Sequence, residues 1–207
     1  KILRLELGGK APFIVGEDAD IGAAVKAAVA SRFENCGQIC ICNERMYVHE
    51  RIADEFTEKF VRAEKGLKVG DPLQTVDVGP KFSAAELDKV ERMVQAATAA
   101  GAKVLTGGKR LTDGEFAKGH WFEPTVLTAA DNRMAIMQDE VFGPVIPLMT
   151  VTDFDEGLQE WRYRHVKLVE RTIGAKKGTG GSLGVEFLKR SLFMPVFHDL
   201  WAIRHEL

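Results

Sequence analysis

No apolar run in the 207-residue sequence reaches the roughly 18 residues a membrane-spanning helix needs, so no membrane partner is expected. Cysteine is scarce: three residues, Cys36, Cys40 and Cys42, all within one short stretch. An odd, clustered set in a well-charged chain excludes a disulfide framework and reads as reduced thiols of a cytoplasmic protein. Neither sign of charge dominates. With 28 Lys and Arg against 30 Asp and Glu, the formal net charge is −2, which gives no electrostatic ground for nucleic acid or an anionic membrane as partner. No signal peptide is visible and the chain opens on Lys1, so the expectation is that the start of the gene product precedes it. There is no internal repeat and no low-complexity linker. What remains is 45% hydrophobic and 28% charged, the balance of a globular protein able to bury a core. The length suits one domain, or one domain and a small extra piece.

Two periodicities alternate along the first three quarters of the chain. Ala11–Val15 is a short apolar run that suits a buried strand, and the acidic turn Glu17–Asp20 is placed to cap a helix. Ile21, Val25, Ala28, Val29 and Phe33 then recur at helical spacing. Arg45–His49 reads as a strand, and Ile52, Phe56 and Phe60 mark one face of the next helix. Gly66–Pro80 is a loop, broken by Gly70-Asp71-Pro72 and Gly79-Pro80. Ser83 is placed to cap a helix carrying Leu87, Val90, Val94 and Ala97, closed by Gly101. Lys103–Thr106, Trp121–Leu127 and Val145–Val151 are further strands. Strands alternating with helices predict an α/β domain with a largely parallel sheet.

The style changes near residue 158. From Leu158 to Leu207 there is no convincing strand, nine of the 28 basic residues and two of the three tryptophans. This stretch predicts helix, a glycine-rich loop at Gly178–Gly184, then helix. The expected organisation is therefore an α/β part over residues 1–157 and an all-α tail over residues 158–207.

The chemistry concentrates in two places. A thiolate adds to an aldehyde carbon to give a thiohemiacetal, which can release hydride to a nicotinamide. The thioester left behind needs an activated water, for which a carboxylate is a suitable base. The sequence supplies Leu5-Glu6-Leu7-Gly8-Gly9-Lys10 and then Phe33-Glu34-Asn35-Cys36-Gly37-Gln38-Ile39-Cys40. The separation of 34 positions between Glu6 and Cys40 leaves room for a strand and a helix, enough to return both side chains to one edge of a sheet, where α/β sites usually lie. Each residue also has a plainer reading. A lone Cys is commonly a small buried hydrophobe and a lone Glu a surface charge. Cys-x-x-x-Cys-x-Cys is not a usual zinc spacing, and Gly107-Gly108-Lys109 lacks the spacing of a phosphate loop.

The motifs Glu-Leu-Gly-Gly-Lys and Gly-Gln-x-Cys, at this separation, resemble the two signatures of the NAD(P)-dependent aldehyde dehydrogenases. Glu140-Val141-Phe142-Gly143-Pro144 resembles a third motif of that family. The resemblance implies Cys40 as nucleophile, with its backbone amide giving half an oxyanion hole, and Glu6 as general base. It implies Glu140 as a contact to the nicotinamide ribose, Phe142 as a wall beside the nicotinamide, NAD(P) as cofactor and a small-molecule aldehyde as partner. The stretch Gly37–Arg45 is most similar to lactaldehyde- and glycolaldehyde-type members.

The tail resembles something else. Trp161-Arg162-Tyr163-Arg164-His165 onward, followed by Gly178-Thr179-Gly180-Gly181-Ser182, is similar to the C-terminal end of bacterial tryptophan 2,3-dioxygenase. That likeness implies His165 as the axial ligand of a haem iron and Thr179 as a contact to the amino-acid end of tryptophan. A neutral imidazole is a good iron ligand, and glycines let backbone close around a small charged group. Leu183 stands where a second small polar residue is common.

Three readings follow from the sequence. The parent activity is aldehyde oxidation; or function follows the tail, as haem-dependent oxidation of tryptophan to N-formylkynurenine; or the chain is an inactive chimera of two incomplete pieces joined within Asp153–Glu160. On the third, neither a dinucleotide site nor a haem pocket is expected to be complete, and neither NAD-linked turnover nor a stable haem complex is expected. Both families implied are homo-oligomers.

Overall fold

The computed structural model describes residues 8–152. The chain divides into two compact units, Lys1–Thr150 and Val151–Leu207. The tail helices expected from the sequence, with His165 and Thr179, lie outside the described residues, as does Glu6.

The first strand, β1 (Ala11–Val15), leads into helix α1 (Ile21–Phe33), which returns the chain to β2 (Asn43–His49). β1 and β2 pair in parallel. The predicted cap is real: Asp20 Oδ1 accepts from the Ala23 amide at 2.9 Å. Helix α2 (Glu50–Glu64) follows directly, and the predicted loop leads to α3 (Ala84–Ala99). Ser83 caps α3 by accepting from the Glu86 amide. All four residues expected on its core face, Leu87, Val90, Val94 and Ala97, are buried. β3 (Lys103–Thr106), β4 (Arg110–Leu111), β5 (Trp121–Phe122), β6 (Thr125–Thr128), the single turn α4 (Ala135–Gln138) and β7 (Val145–Val151) complete the described part.

The main sheet has the order β1-β2-β7-β6-β3. β6 and β7 are parallel, and β3 is antiparallel to β6. The core under it gathers Val15 and Met46, Val48 from the first two strands, Phe33, Phe56 and Phe60 from the helices, and Val126, Ile146 and Leu148 from the later strands. Phe60 stacks on Phe56 with ring centres 5.8 Å apart and on Phe33 at 6.3 Å.

Two expectations are corrected. Among the described residues β1 lies at the edge of the sheet and is only partly buried, with Ile14 on its open face; a run of five apolar residues does not by itself tell an edge from the middle of a sheet. The single strand expected over Trp121–Leu127 is two, because Pro124 has no amide to donate to a ladder. β5 pairs with β4 in a separate hairpin, and β6 joins the main sheet. Among the described residues no helix is long and apolar enough to cross a membrane.

Candidate active-site cleft

Between α1 and β2 the backbone takes an unusual course. Asn35, Cys36 and Gly37 are left-handed in succession, with φ of 49°, 59° and 68°. Asn tolerates this conformation and Gly suffers no penalty in it, whereas Cys36 carries strain of roughly 1 kcal/mol. Gly37 is required for space as well. A β-carbon there would lie 2.2 Å from Arg32 Nη2 and 2.3 Å from the Gly143 carbonyl oxygen. The chain then closes a turn, Cys42 N donating to Ile39 O at 3.0 Å, with half-buried Cys40 and exposed Ile41 at its corner.

Gln38 fastens this turn to the loop before α3. Its Nε2 donates to the carbonyls of Asn35 (3.1 Å) and Pro80 (3.2 Å), and its Oε1 accepts from the Phe82 amide (3.0 Å). The Gln of Gly-Gln-x-Cys is thereby a structural brace one residue removed from the thiol.

The three motifs meet. Cys40, Glu140 and Phe142 line one cleft of about 550 Å³, together with Gly8, Ile39 and Phe82. Glu86 and Lys89 of α3 stand at the same cleft, 3.8 Å apart. Gly9 donates its amide to Glu140 Oε1 at 2.8 Å. A β-carbon on Gly8, whose φ is +79°, would lie 2.5 Å from Glu140 Oε2. A β-carbon on Gly9 would lie 1.9 Å from the Cys40 carbonyl oxygen. The paired glycines are thus what allows the first motif to lie flat against the other two. The cleft sits before β1 and before β2, which is the amino end of this parallel pair. α/β sites usually lie at the opposite, carboxyl end, the edge that sequence reasoning pointed to. Here the cleft's thiol, carboxylate and aromatic ring ride on the turns that enter the strands.

Beneath the cleft lies a buried carboxylate that sequence reasoning quoted but did not assign. Glu44, on β2, accepts from Lys10 Nζ and Arg32 Nη1, each at 3.0 Å, and from the amides of Val141 (2.7 Å) and Phe142 (3.1 Å). Burial alone would push its carboxyl up, but Arg32, Lys10 and the Val141 amide together hold it below the usual carboxylate range. Burial moves Lys10 the other way, down to about 8. Lys10 also donates to the Ile136 carbonyl at 2.8 Å, and Arg32 to those of Asn43 (2.5 Å) and Gly37 (2.8 Å). A signal existed: Glu44 directly precedes the run of a buried strand, and Arg32 falls on the buried stripe of α1.

A second cation was missed. Lys81 is 1% exposed and donates to the Phe142 carbonyl. Its ammonium lies 5.4 Å from the centre of the Phe142 ring and 5.9 Å from that of Phe82. Burial pushes its pKa down to about 8, while burial pushes the neighbouring Cys36 thiol up to about 11. Cys36 and Cys42 are both buried, with Cys42 likewise raised by burial. Of the three thiols, Cys40 alone lines the cleft.

Fold and cleft together define an α/β protein that presents a thiol on the entry turn of a strand, beside a carboxylate and an aromatic ring. The chain belongs to the aldehyde dehydrogenase family, whose model matches residues 1–161. It is 52% identical over 155 residues to 3,6-anhydro-alpha-L-galactose dehydrogenase of Vibrio sp. (strain EJY3), covering 74% of this chain and 32% of that protein. A solved structure of 3,6-anhydro-L-galactose dehydrogenase in complex with NAP is similar with a TM-score of 0.73 and 52% identity, over 76% of this chain and 33% of that one. Lactaldehyde dehydrogenase from Escherichia coli is similar with a TM-score of 0.70 and 41% identity, over 74% and 32%. The chain therefore spans about a third of the length of these relatives. A second model, that of tryptophan 2,3-dioxygenase, matches residues 131–207 and overlaps the first over residues 131–161.

Proposed function

We propose that the chain carries the acyl-forming centre of an NAD(P)-dependent oxidation of a small hydroxyaldehyde to its acid, with Cys40 as nucleophile and Glu6 as general base. The observation that supports this most is the meeting of Cys40, Glu140 and Phe142 on one cleft, after a separation of about a hundred residues in sequence. The Cys40 thiolate adds to the aldehyde carbon. Hydride leaves that carbon, and the resulting thioester is cleaved by a water that gives its proton to Glu6. The bound nicotinamide supplies the hydride acceptor. The residues present suit such a group. Phe142 and Ile39 offer apolar walls for a flat ring. Glu140 spends one lone pair on Gly9 and has others for sugar hydroxyls. Glu6 is two residues from Gly8, which lines the cleft, so the chain is short enough to bring the base within reach. The substrate class follows the sugar-derived aldehydes and lactaldehyde named for the relatives.

The test uses an activated ester, which acylates the thiol without nucleotide. The full chain should release p-nitrophenolate from p-nitrophenyl acetate in a burst, with an acetyl group found on Cys40 by mass spectrometry. Cys40→Ala should abolish the burst, and Glu6→Gln should keep the burst but slow the steady state. Acetylation elsewhere, or a burst that survives Cys40→Ala, overturns the reading. NADH or NADPH formation with a hydroxyaldehyde is the second arm. Acylation without it would leave the chain with the acyl-transfer half of the reaction.

A second reading attaches to the tail, on the strength of the dioxygenase match. It takes residues 158–207 as a separate part in which His165 would hold a haem iron and Thr179 would meet the amino-acid end of tryptophan. Haem titration of the full chain tests it: a Soret band lost in His165→Ala supports it, and no band in the wild type confines the activity to residues 1–157.

A further inference from the structure

The segment Glu140–Gly143 holds a shape it would not keep alone. Phe142 has φ of 50°, a left-handed conformation that a bulky side chain avoids at a cost of about 1–3 kcal/mol. Such strain persists only where the surroundings over-determine it. Here the peptide planes on both sides of Val141 are fixed by one side chain, since Glu44 Oε2 takes the Val141 amide and Oε1 the Phe142 amide. Each oxygen takes one further donor, from Lys10 and from Arg32. A carboxylate has about four acceptor positions, and all four donors are charged or amide N–H groups, so no neutral side chain could replace it bond for bond.

This arrangement is poorly explained as a stability device. Buried ion pairs of this kind are often matched or exceeded by apolar residues of equal volume. Its distinctive property is what it connects. Glu44 lies four residues after Cys40, on the strand that the thiol turn enters, and it grips the amide of the aromatic wall, Phe142, and that of Val141 next to the cleft's carboxylate.

We propose that Glu44 is a positioning residue: it holds Val141 and Phe142 so that Glu140 and Phe142 keep the placement cofactor binding requires, in register with Cys40. The inference rests on the reading of Glu140 and Phe142 as cofactor contacts, and deepens it. Glu44 itself is 1% exposed and does not line the cleft.

Two measurements on the full chain test it. In Glu44→Gln, hydrogen exchange at the Val141 and Phe142 amides should rise by about tenfold, the equivalent of one lost charge-assisted hydrogen bond. Peptides from α2 and α3 should exchange as in the wild type. Glu44→Asp keeps the charge for Lys10 and Arg32 but withdraws it by one methylene, so it should show the same local rise even if the Gln variant folds poorly. The second measurement is the split of kinetic effects: KM for NAD(P)+ should rise by about tenfold, with ester acylation of Cys40 within about twofold of the wild type. Unchanged exchange at 141–142, or an equal rise throughout the chain, overturns the positioning role, as does a fall in acylation matching the rise in KM. If the wild type gives no NAD(P)H while the local exchange result holds, the proposed reaction fails and the grip on the loop stands.

Discussion

Gly9 and Cys40 touch backbone to backbone: a β-carbon on the one would lie 1.9 Å from the carbonyl oxygen of the other. Neither atom belongs to a flexible side chain, so Gly9→Ala must displace the turn that carries the thiol. The overpacking should cost about 1–3 kcal/mol of stability and lower acylation of Cys40 by at least about tenfold. Gly8→Ala is the control. Its new methyl would meet the end of the Glu140 side chain and not the turn that carries the thiol, although the φ of +79° at Gly8 adds backbone strain of about 1–2 kcal/mol and moving Glu140 gives up its bond from the Gly9 amide. It should leave acylation near the wild-type rate and weaken nucleotide binding, read from the burst and from nucleotide titration. Equal loss in both variants would refute this division.

The thiols should react in a fixed order. Cys36 is 1% exposed with its pKa pushed up to about 11 by burial, and Cys42 is 3% exposed and also raised. Both are thiols, not thiolates, at neutral pH. Iodoacetamide at pH 7.5 should modify Cys40 first, with Cys36 and Cys42 labelled only in denaturant, as peptide mass spectrometry would show. Early modification of Cys36 would contradict its placement in the core.

Glu64 gives a pH dependence with a definite sign. Burial raises its carboxyl from 4.5 to about 7, with Thr106 and Lys65 opposing and Glu123 adding to the rise. Its Oε2 is buried without a hydrogen-bond partner among the described residues. Below pH 4.5 the group is protonated in folded and unfolded chains alike, and it carries no penalty. Between 4.5 and 7 the unfolded chain ionises first, so the stability contributed by this site falls as pH rises; above 7 the deficit is constant. Glu64→Gln should therefore gain in urea midpoint relative to the wild type as pH goes from 4.5 to 8. A difference that does not change with pH would rule out the raised carboxyl.

Phe60 stands between Phe33 and Phe56 with no exposed surface. Phe60→Ala removes the centre of this stack and should cost about 3–5 kcal/mol, a large share of the roughly 5–15 kcal/mol that holds an ordinary domain folded. Thermal denaturation followed by circular dichroism measures it.

The helices were legible in the sequence because their signals are local. Asp20 and Ser83 cap as their positions predict, and the four apolar residues of α3 sit on the face their spacing assigns. The strands were legible as strands, but their neighbours were not. Nothing local marks Ala11–Val15 as an edge, because edge or centre depends on which strand arrives alongside. The motifs pointed to Cys40, Glu140 and Phe142, which share one cleft. The residues that hold them were not legible, since Gln38, Glu44 and Lys81 act through partners 40 to 100 positions away. A charge beside the apolar run of β2 announces that something pairs with it; the sequence does not say what.

The last strand of the described sheet is also inserted between the others. β7 lies between β2 and β6, so β1–β2 and β3–β6 remain two ribbons with bare hydrogen-bonding rims until residues 145–151 are available. During synthesis those rims are templates for any other nascent chain nearby. The late arrival of the strand that joins the two ribbons raises the sequence separation of the sheet's contacts, the property that slows folding.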